Sequence, residues 1–253
     1  MLLVGDSVAD SLSPALAAQA AIRGIRFTAQ VRDGCGLVTG IPAYPNGTAI
    51  PWGPGCASGT VSYLSDAVRQ ANPQVVVWLS TWENADQLIN GQFYTFGTPA
   101  ADAMLLEEFE QSREILTAGG ARLVLVTIAP RAQHSATVPN DNPAEDQQYL
   151  HLDELLRTFA AQHTDSVTVV DLAKIVCPSG PPCPEDVDGV DLRPNDGGHF
   201  AGDGPAWVAP RLMDAIMREL RPAPQAIFRS SFRSRTHKAA RAHPRLALAR
   251  WRP

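Results

Sequence analysis

Two short stretches near opposite ends of this 253-residue chain carry the residue types of a covalent catalyst. One is Gly5-Asp6-Ser7; the other is Asp196-Gly197-Gly198-His199-Phe200. A serine hydroxyl is a weak nucleophile at neutral pH and needs a base within hydrogen-bonding reach. An Asp and a His three residues apart on a glycine-rich turn can supply it: the carboxylate holds the imidazole Nδ1–H while Nε2 faces the hydroxyl. The expected chemistry is acyl transfer through a serine ester, with Ser7, Asp196 and His199 as the catalytic set. Taken alone, Gly-Asp-Ser reads equally well as a helix start with Asp6 or Ser7 as N-cap.

The elements around these motifs must bring them together. Leu2-Leu3-Val4 reads as a buried strand, Gly5 as the residue that lets the chain turn, and Val8 to Ile22 as a helix, so Ser7 sits at a strand-to-helix turn where backbone N–H groups can stabilise an oxyanion. Ile25 to Val31 alternates as a strand. Gln74 to Leu79 is a continuous apolar run, as in a central parallel strand covered on both faces. Arg122 to Ile128 and Ser166 to Leu172 supply two more strands. Helices are expected over 61–71, 101–118, 144–163 and 203–220. Residues 33–59, 85–100 and 129–143 read as long loops, which in a compact domain are functional or covalently tied down. Alternating strands and helices predict an α/β fold: a three-layer, flavodoxin-like sandwich with a five-stranded parallel sheet. An α/β-hydrolase fits less well, since position 9 is Ala where Gly-x-Ser-x-Gly needs Gly, and the acid lies close to the His.

Over most of residues 1–220 these motifs resemble the SGNH (GDSL-type) serine hydrolases. They are most similar to the SGNH domains attached to bacterial integral-membrane O-acyltransferases, which carry Gly-Cys-Gly after the second strand and Trp-Glu or Trp-Asp after the third. Here those read Gly34-Cys35-Gly36 and Trp82-Glu83, and the closing segment runs from Asp188 to Phe200. The resemblance implies that the N–H groups of Ser7 and Gly36 form the oxyanion hole. In the typical family an Asn side chain after the third strand adds a donor. This chain has Trp82 at that place and Asn84 two residues on, so Asn84 serves only if the loop bends, and otherwise the backbone supplies the donor. Asp6, Trp82 and Glu83 are expected at the substrate pocket, Trp82 either stacking on a sugar or acyl group or standing as a half-buried aromatic.

Composition sets the surroundings. Hydrophobic residues make up 45% of the chain, and no apolar run approaches the ~20 residues of a membrane span. The chain opens directly into its first strand without a signal peptide, as would a piece of a longer protein or a chain with an upstream start. Residues 1–220, expected as the catalytic domain, hold 12 Lys+Arg against 26 Asp+Glu, whereas 221–253 holds nine Lys+Arg and no acid, a solvated and disordered tail. The acidic body argues against nucleic acid as the main partner. Cys35 and Cys56 flank one loop, and Cys177 and Cys183 another. Neither spacing is a zinc pattern, and the loop positions favour two local disulfides over four reduced thiols, hence an oxidising, extracytoplasmic compartment such as periplasm or cell envelope.

Asp186, Asp188, Asp191, Asp196 and His199 do not have the spacing of a calcium or zinc site, and no metal or cofactor is expected. His134, His151 and His163 lack a carboxylate at catalytic spacing and are read as surface residues. Three functions remain open: a serine esterase acting on O-acyl, mainly acetyl, groups of carbohydrates; an O-acyltransferase module for cell-envelope glycans, working with a membrane acyltransferase domain; or a catalytically silent glycan-binding module. The first is the expected one, with an acyl ester or glycan as substrate.

Overall fold

A computed structural model describes residues 1–133 and 142–221. His134 and the basic tail beyond Arg221 lie outside the described residues. Ten strands and six helices follow in order: β1 (Leu2–Gly5), α1 (Ser7–Ile22), β2 (Thr28–Val31), β3 (Ile41–Ala43), α2 (Gly53–Ala71), β4 (Val75–Leu79), β5 (Asp86–Ile89), β6 (Gln92–Tyr94), α3 (Pro99–Thr117), β7 (Arg122–Val126), α4 (Pro143–Gln162), β8 (Val167–Val170), α5 (Leu172–Val176), β9 (Asp186–Val187), β10 (Val190–Asp191) and α6 (Gly204–Glu219). The five long-range strands form one parallel sheet in the order β2-β1-β4-β7-β8. That order reverses direction between β1 and β4, and the crevice at such a switch point is where α/β sheets bind ligands.

Apolar burial drives the assembly. Every residue of β1 is buried, as are four of the five in β4 and in β7. Helices α1 and α6 pack on each other on one side of the sheet; α2, α3 and α4 form the row on the other. Trp78 of β4 anchors the second layer, its ring edge-on to Phe109 at 5.7 Å, and Phe109 meets Phe159 of α4 at 5.8 Å. Helix starts follow the chain's polar punctuation. Asp6 caps α1, Thr98 caps α3 ahead of Pro99, and Asp171 caps α5.

Four features depart from the sequence reading. The loop at 33–59 contains β3, and the helix expected from residue 61 begins at Gly53, with Pro54 in its first turn. The loop at 85–100 contains the β5–β6 hairpin, which pairs with β3 in a small antiparallel sheet. Asp186 to Asp191 forms the β9–β10 hairpin, its Asp188-Gly189 turn at positive φ. His151 and His163 are partly buried and face carboxylates: His151 Nε2 lies 2.7 Å from Asp102, and His163 Nε2 3.3 Å from Glu110. The cysteines pair as Cys35–Cys56 and Cys177–Cys183. Among the described residues, no helix is long and apolar enough to cross a membrane.

Gly5 works differently from its expected role. Its φ is not in the left-handed region; what it lacks is room. A Cβ there would lie 1.8 Å from the Leu79 carbonyl oxygen and 2.7 Å from Ala9 Cβ, so only glycine lets β1 sit beside β4 with α1 folded over it. Gly5→Ala should therefore cost ~3 kcal/mol or more, because both close neighbours are fixed by the sheet and the helix. Urea denaturation would register this as a lowered midpoint at unchanged m-value, and a variant within 1 kcal/mol would refute the packing argument.

Candidate active site

Ser7 is the first residue of α1, immediately after the cap. Asp6 Oδ1 accepts from Val8 N–H at 2.9 Å, which fixes the start of the helix and leaves the Ser7 hydroxyl facing the crevice. The cap and nucleophile readings are thus compatible. The base arrives from the far end of the chain. His199 Nε2 lies 2.7 Å from Ser7 Oγ, and His199 Nδ1 lies 2.6 Å from Asp196 Oδ2.

The Asp196 turn is built around its own carboxylate. Oδ1 accepts from the N–H groups of Gly198 (2.9 Å) and His199 (2.8 Å), leaving Oδ2 for the imidazole. Burial alone would raise this carboxyl. The bonds from the His199 and Gly198 amides and the His199 ring outweigh it and hold the group down at about 2, so Asp196 is ionised throughout the working range. Two outside contacts dock the turn. Phe200 N–H donates to Ser11 Oγ of α1, and Ala132 N–H donates to the Gly197 carbonyl. Arg131 reinforces the second, donating to the Asp196 carbonyl at 3.1 Å while its Nε donates to Glu145.

Around Ser7 and His199 lies a cavity of about 110 Å³, walled by Val8, Leu79, Ile128, Ala129, Leu172 and Phe200 on its apolar side. Thr81, Trp82, Arg131, Tyr149 and Arg193 complete it. Arg193 is 2% exposed and donates to the Pro130 carbonyl at 2.6 Å; burial pulls its guanidinium down to about 10. Sequence reading had not singled out Arg131, Tyr149 or Arg193. Arg193 lay in plain view in the closing segment, whereas Arg131 and Tyr149 carry no local motif. A wider, more open groove of about 430 Å³ adjoins the cavity and shares Thr81, Trp82, Arg131 and Tyr149 with it.

The other expected site residues divide by depth. Trp82 lines both cavity and groove, its ring edge-on to Trp52 at 5.8 Å. Asn84, the last residue of the short 3₁₀ turn at Trp82–Asn84, lines the groove and is not among the walls of the cavity around Ser7; a backbone donor was the other possibility left open for the oxyanion. Asp6 and Glu83 are not pocket walls either, being 0% and 1% exposed beneath the floor. Asp6 Oδ2 accepts from both the N–H and the hydroxyl of Thr81 at 2.6 Å; burial raises its carboxyl against those bonds.

Glu83 Oε1 accepts from Leu37 N–H at 2.7 Å. Burial pushes this carboxyl up to about 7, opposed by Leu37 and by the nearby Ser80 hydroxyl, though neither Ser80 Oγ nor Glu83 Oε2 makes a well-formed hydrogen bond. Gly36 packs directly on this carboxylate: a Cβ there would stand 3.1 Å from Glu83 Oε1 and 3.4 Å from Trp82 Cβ. The acids once weighed as metal ligands have other partners. Asp191 Oδ1 accepts from Arg193 N–H and Asp188 sits in the hairpin turn; no metal-type cluster occurs among the described residues.

A family model for the SGNH domain of the kind fused to AT3 domains matches residues 1–214. The chain belongs to that family. It is an SGNH-type serine hydrolase, and solved structures of similar fold span nearly its whole length. The periplasmic domain of a lipopolysaccharide acetyltransferase from Salmonella ser. Paratyphi A superposes with a TM-score of 0.56 at 10% identity, covering 85% of this chain and 83% of that one. An acetyl xylan esterase superposes at 0.55 with 14% identity, covering 87% and 100%. For a GDSL-like lipase from Bacteroides thetaiotaomicron the score is 0.54 at 12% identity, covering 87% and 88%. At these identities the likeness is one of fold. No curated protein sequence matches the chain.

Proposed function

We propose that this SGNH domain moves short O-linked acyl groups, above all acetyl, on carbohydrate substrates through an ester on Ser7. The observation that carries the reading is the continuous Ser7–His199–Asp196 relay opening into a small apolar recess. His199 Nε2 takes the Ser7 proton as Oγ attacks the ester carbonyl carbon, and Asp196 stabilises the imidazolium formed. The oxyanion is met by the N–H groups of Ser7 and Gly36. His199 then returns the proton to the departing alcohol, leaving the acyl group on Ser7. In the second half, water or a sugar hydroxyl loses its proton to His199 and attacks the acyl carbonyl carbon; the acyl–Oγ bond breaks and His199 returns the proton to Ser7 Oγ.

Size supports the acyl class. The recess beside Ser7 is small, about 110 Å³, with apolar walls that suit a short acyl group such as acetyl. The polar, aromatic-edged groove beyond Trp82 and Tyr149 suits the sugar body. The names of two fold neighbours pair acetyl groups with saccharides, an acetyl xylan esterase and a lipopolysaccharide acetyltransferase domain. Two disulfides support an extracytoplasmic location, and the family description supports a membrane acyltransferase domain as donor partner. With such a donor, the same relay works as an O-acyltransferase for cell-envelope glycans.

The test is mass spectrometry of the protein after treatment with a fluorophosphonate serine probe. Stoichiometric labelling at Ser7, lost in His199→Ala, is expected. Presenting a soluble glycan with an aryl acetate then separates hydrolysis from transfer by where the acetyl group ends. A folded protein that takes no label would overturn this reading and leave either glycan binding without catalysis or a site that assembles only with its partner domain.

A further inference from the structure

Two buried side-chain carboxyls join three segments: the serine turn, the loop after β4 and the Gly36 segment. Asp6, adjacent to Ser7 in the chain, accepts both hydrogen bonds from Thr81. Two residues on, Glu83 accepts from Leu37 N–H, the amide next to Gly36. The two N–H groups assigned to the oxyanion, those of Ser7 and Gly36, are thus tied through a side-chain path, Ser7–Asp6, Thr81, Glu83, Leu37–Gly36, beside a backbone one in which Arg32 N–H donates to the Gly5 carbonyl and Cys35 N–H to the Arg32 carbonyl. Other anchors fix the Gly36 segment to its own surroundings. Ser112 Oγ donates to the Leu37 carbonyl, Glu108 accepts from the Thr39 N–H and hydroxyl, and Cys35 is bonded to Cys56. Of these contacts, only that of Glu83 runs to the β4 loop, which Asp6 holds against the serine turn.

We propose that Glu83 is a positioning residue for catalysis: it sets the Gly36 N–H at its working distance from Ser7 and never touches substrate. Glu83 directly follows Trp82, the residue that stands where the resemblance puts an oxyanion-donating Asn. Its carboxyl is sealed beneath the floor at 1% exposure and so does not reach the oxyanion itself. Its contribution is to hold two backbone donors in register, doing by geometry part of what a third donor would do by contact. Gly36 is the matching half of the device, since any side chain there would press on the Glu83 carboxylate and displace the segment.

The proposal rests on the oxyanion reading of Ser7 and Gly36, and the experiment separates the two. The full chain and its Glu83→Gln, Glu83→Ala and Glu83→Asp variants are compared for kcat and KM on an aryl acetate, for rate of fluorophosphonate labelling, and for Tm. Gln keeps an acceptor oxygen for Leu37 N–H and should stay within a few-fold of the parent. Ala removes the acceptor and Asp draws it back; each should lower kcat about 10²-fold, as a displacement near 1 Å does, with KM within twofold. Labelling should slow in parallel, while a Gln variant that restores kcat despite the same loss of charge excludes a role for the charge itself. An Ala variant with parental kcat, or losses confined to KM or scaling with Tm across the three variants, would overturn the role of Glu83. A parent chain that neither turns over nor labels would overturn the oxyanion reading, and this proposal with it.

Discussion

Ser7→Ala should lower kcat for ester cleavage by about 10⁴–10⁶-fold while leaving Tm within a few degrees. The loss is large because the three relay groups act as one unit: without Oγ there is nothing to carry the acyl group, and His199 can only assist water. Stability should barely move. The hydroxyl's hydrogen bond is to His199, whereas the helix start it occupies is capped by Asp6 and the close packing beneath belongs to Gly5. Steady-state kinetics with burst-phase analysis gives the rate, and calorimetry the Tm. Activity remaining above a hundredth of the parent's would mean that another residue is the nucleophile.

Asp196→Asn should cost about 10⁴-fold in kcat with the turn intact. The side-chain oxygen of Asn can still accept from the Gly198 and His199 amides, as Oδ1 does now. The other position becomes an NH₂ facing Nδ1, 2.6 Å away in the parent, and a donor there forces the tautomer that carries its proton on Nε2. Nε2 then points a hydrogen at Ser7 and cannot take one. Because the parent carboxyl is held at about 2, the acid limb of the parent's pH–rate profile must report a group other than Asp196. Histidine ¹⁵N NMR, reading which ring nitrogen is protonated, checks the tautomer directly; an unchanged tautomer would break the argument.

The parts legible in the sequence were those with a local signature. The β4 run Val75–Leu79 announces a covered central strand, and the sheet order follows once five such strands alternate with helices. Ser7, Asp196 and His199 could be singled out despite their separation because each sits in a short motif beside glycine. Depth was not legible. Asp6 and Glu83 were assigned to the pocket wall, but a residue's neighbours in sequence do not say whether its side chain meets solvent or passes under the floor. Whether Asn84 or the backbone supplies a third donor was left open in the sequence, since it turns on a loop conformation that no local motif specifies; Asn84 ends a short 3₁₀ turn. The strands β3, β5 and β6 are three or four residues long, too short for alternation to show. The early start of α2 hides in Gly53-Pro54-Gly55-Cys56, a composition that reads as loop until Pro54 is seen in a first turn and Cys56 bonded to Cys35. Asp102 and His151, 49 residues apart, had no signal at all.

The contact between His199 and Ser7 spans 192 positions of the chain. Synthesis at about 5–20 residues per second puts roughly 10 to 40 s between the emergence of the nucleophile and that of its base. During that interval the serine is present but inert, since a hydroxyl without its imidazole attacks nothing. The final turn must also find Ser11 of α1 and the segment after β7 before the imidazole is aimed. Enzymatic competence therefore cannot precede the emergence of His199, and the appearance of turnover marks the closing of the contact between these two distant segments.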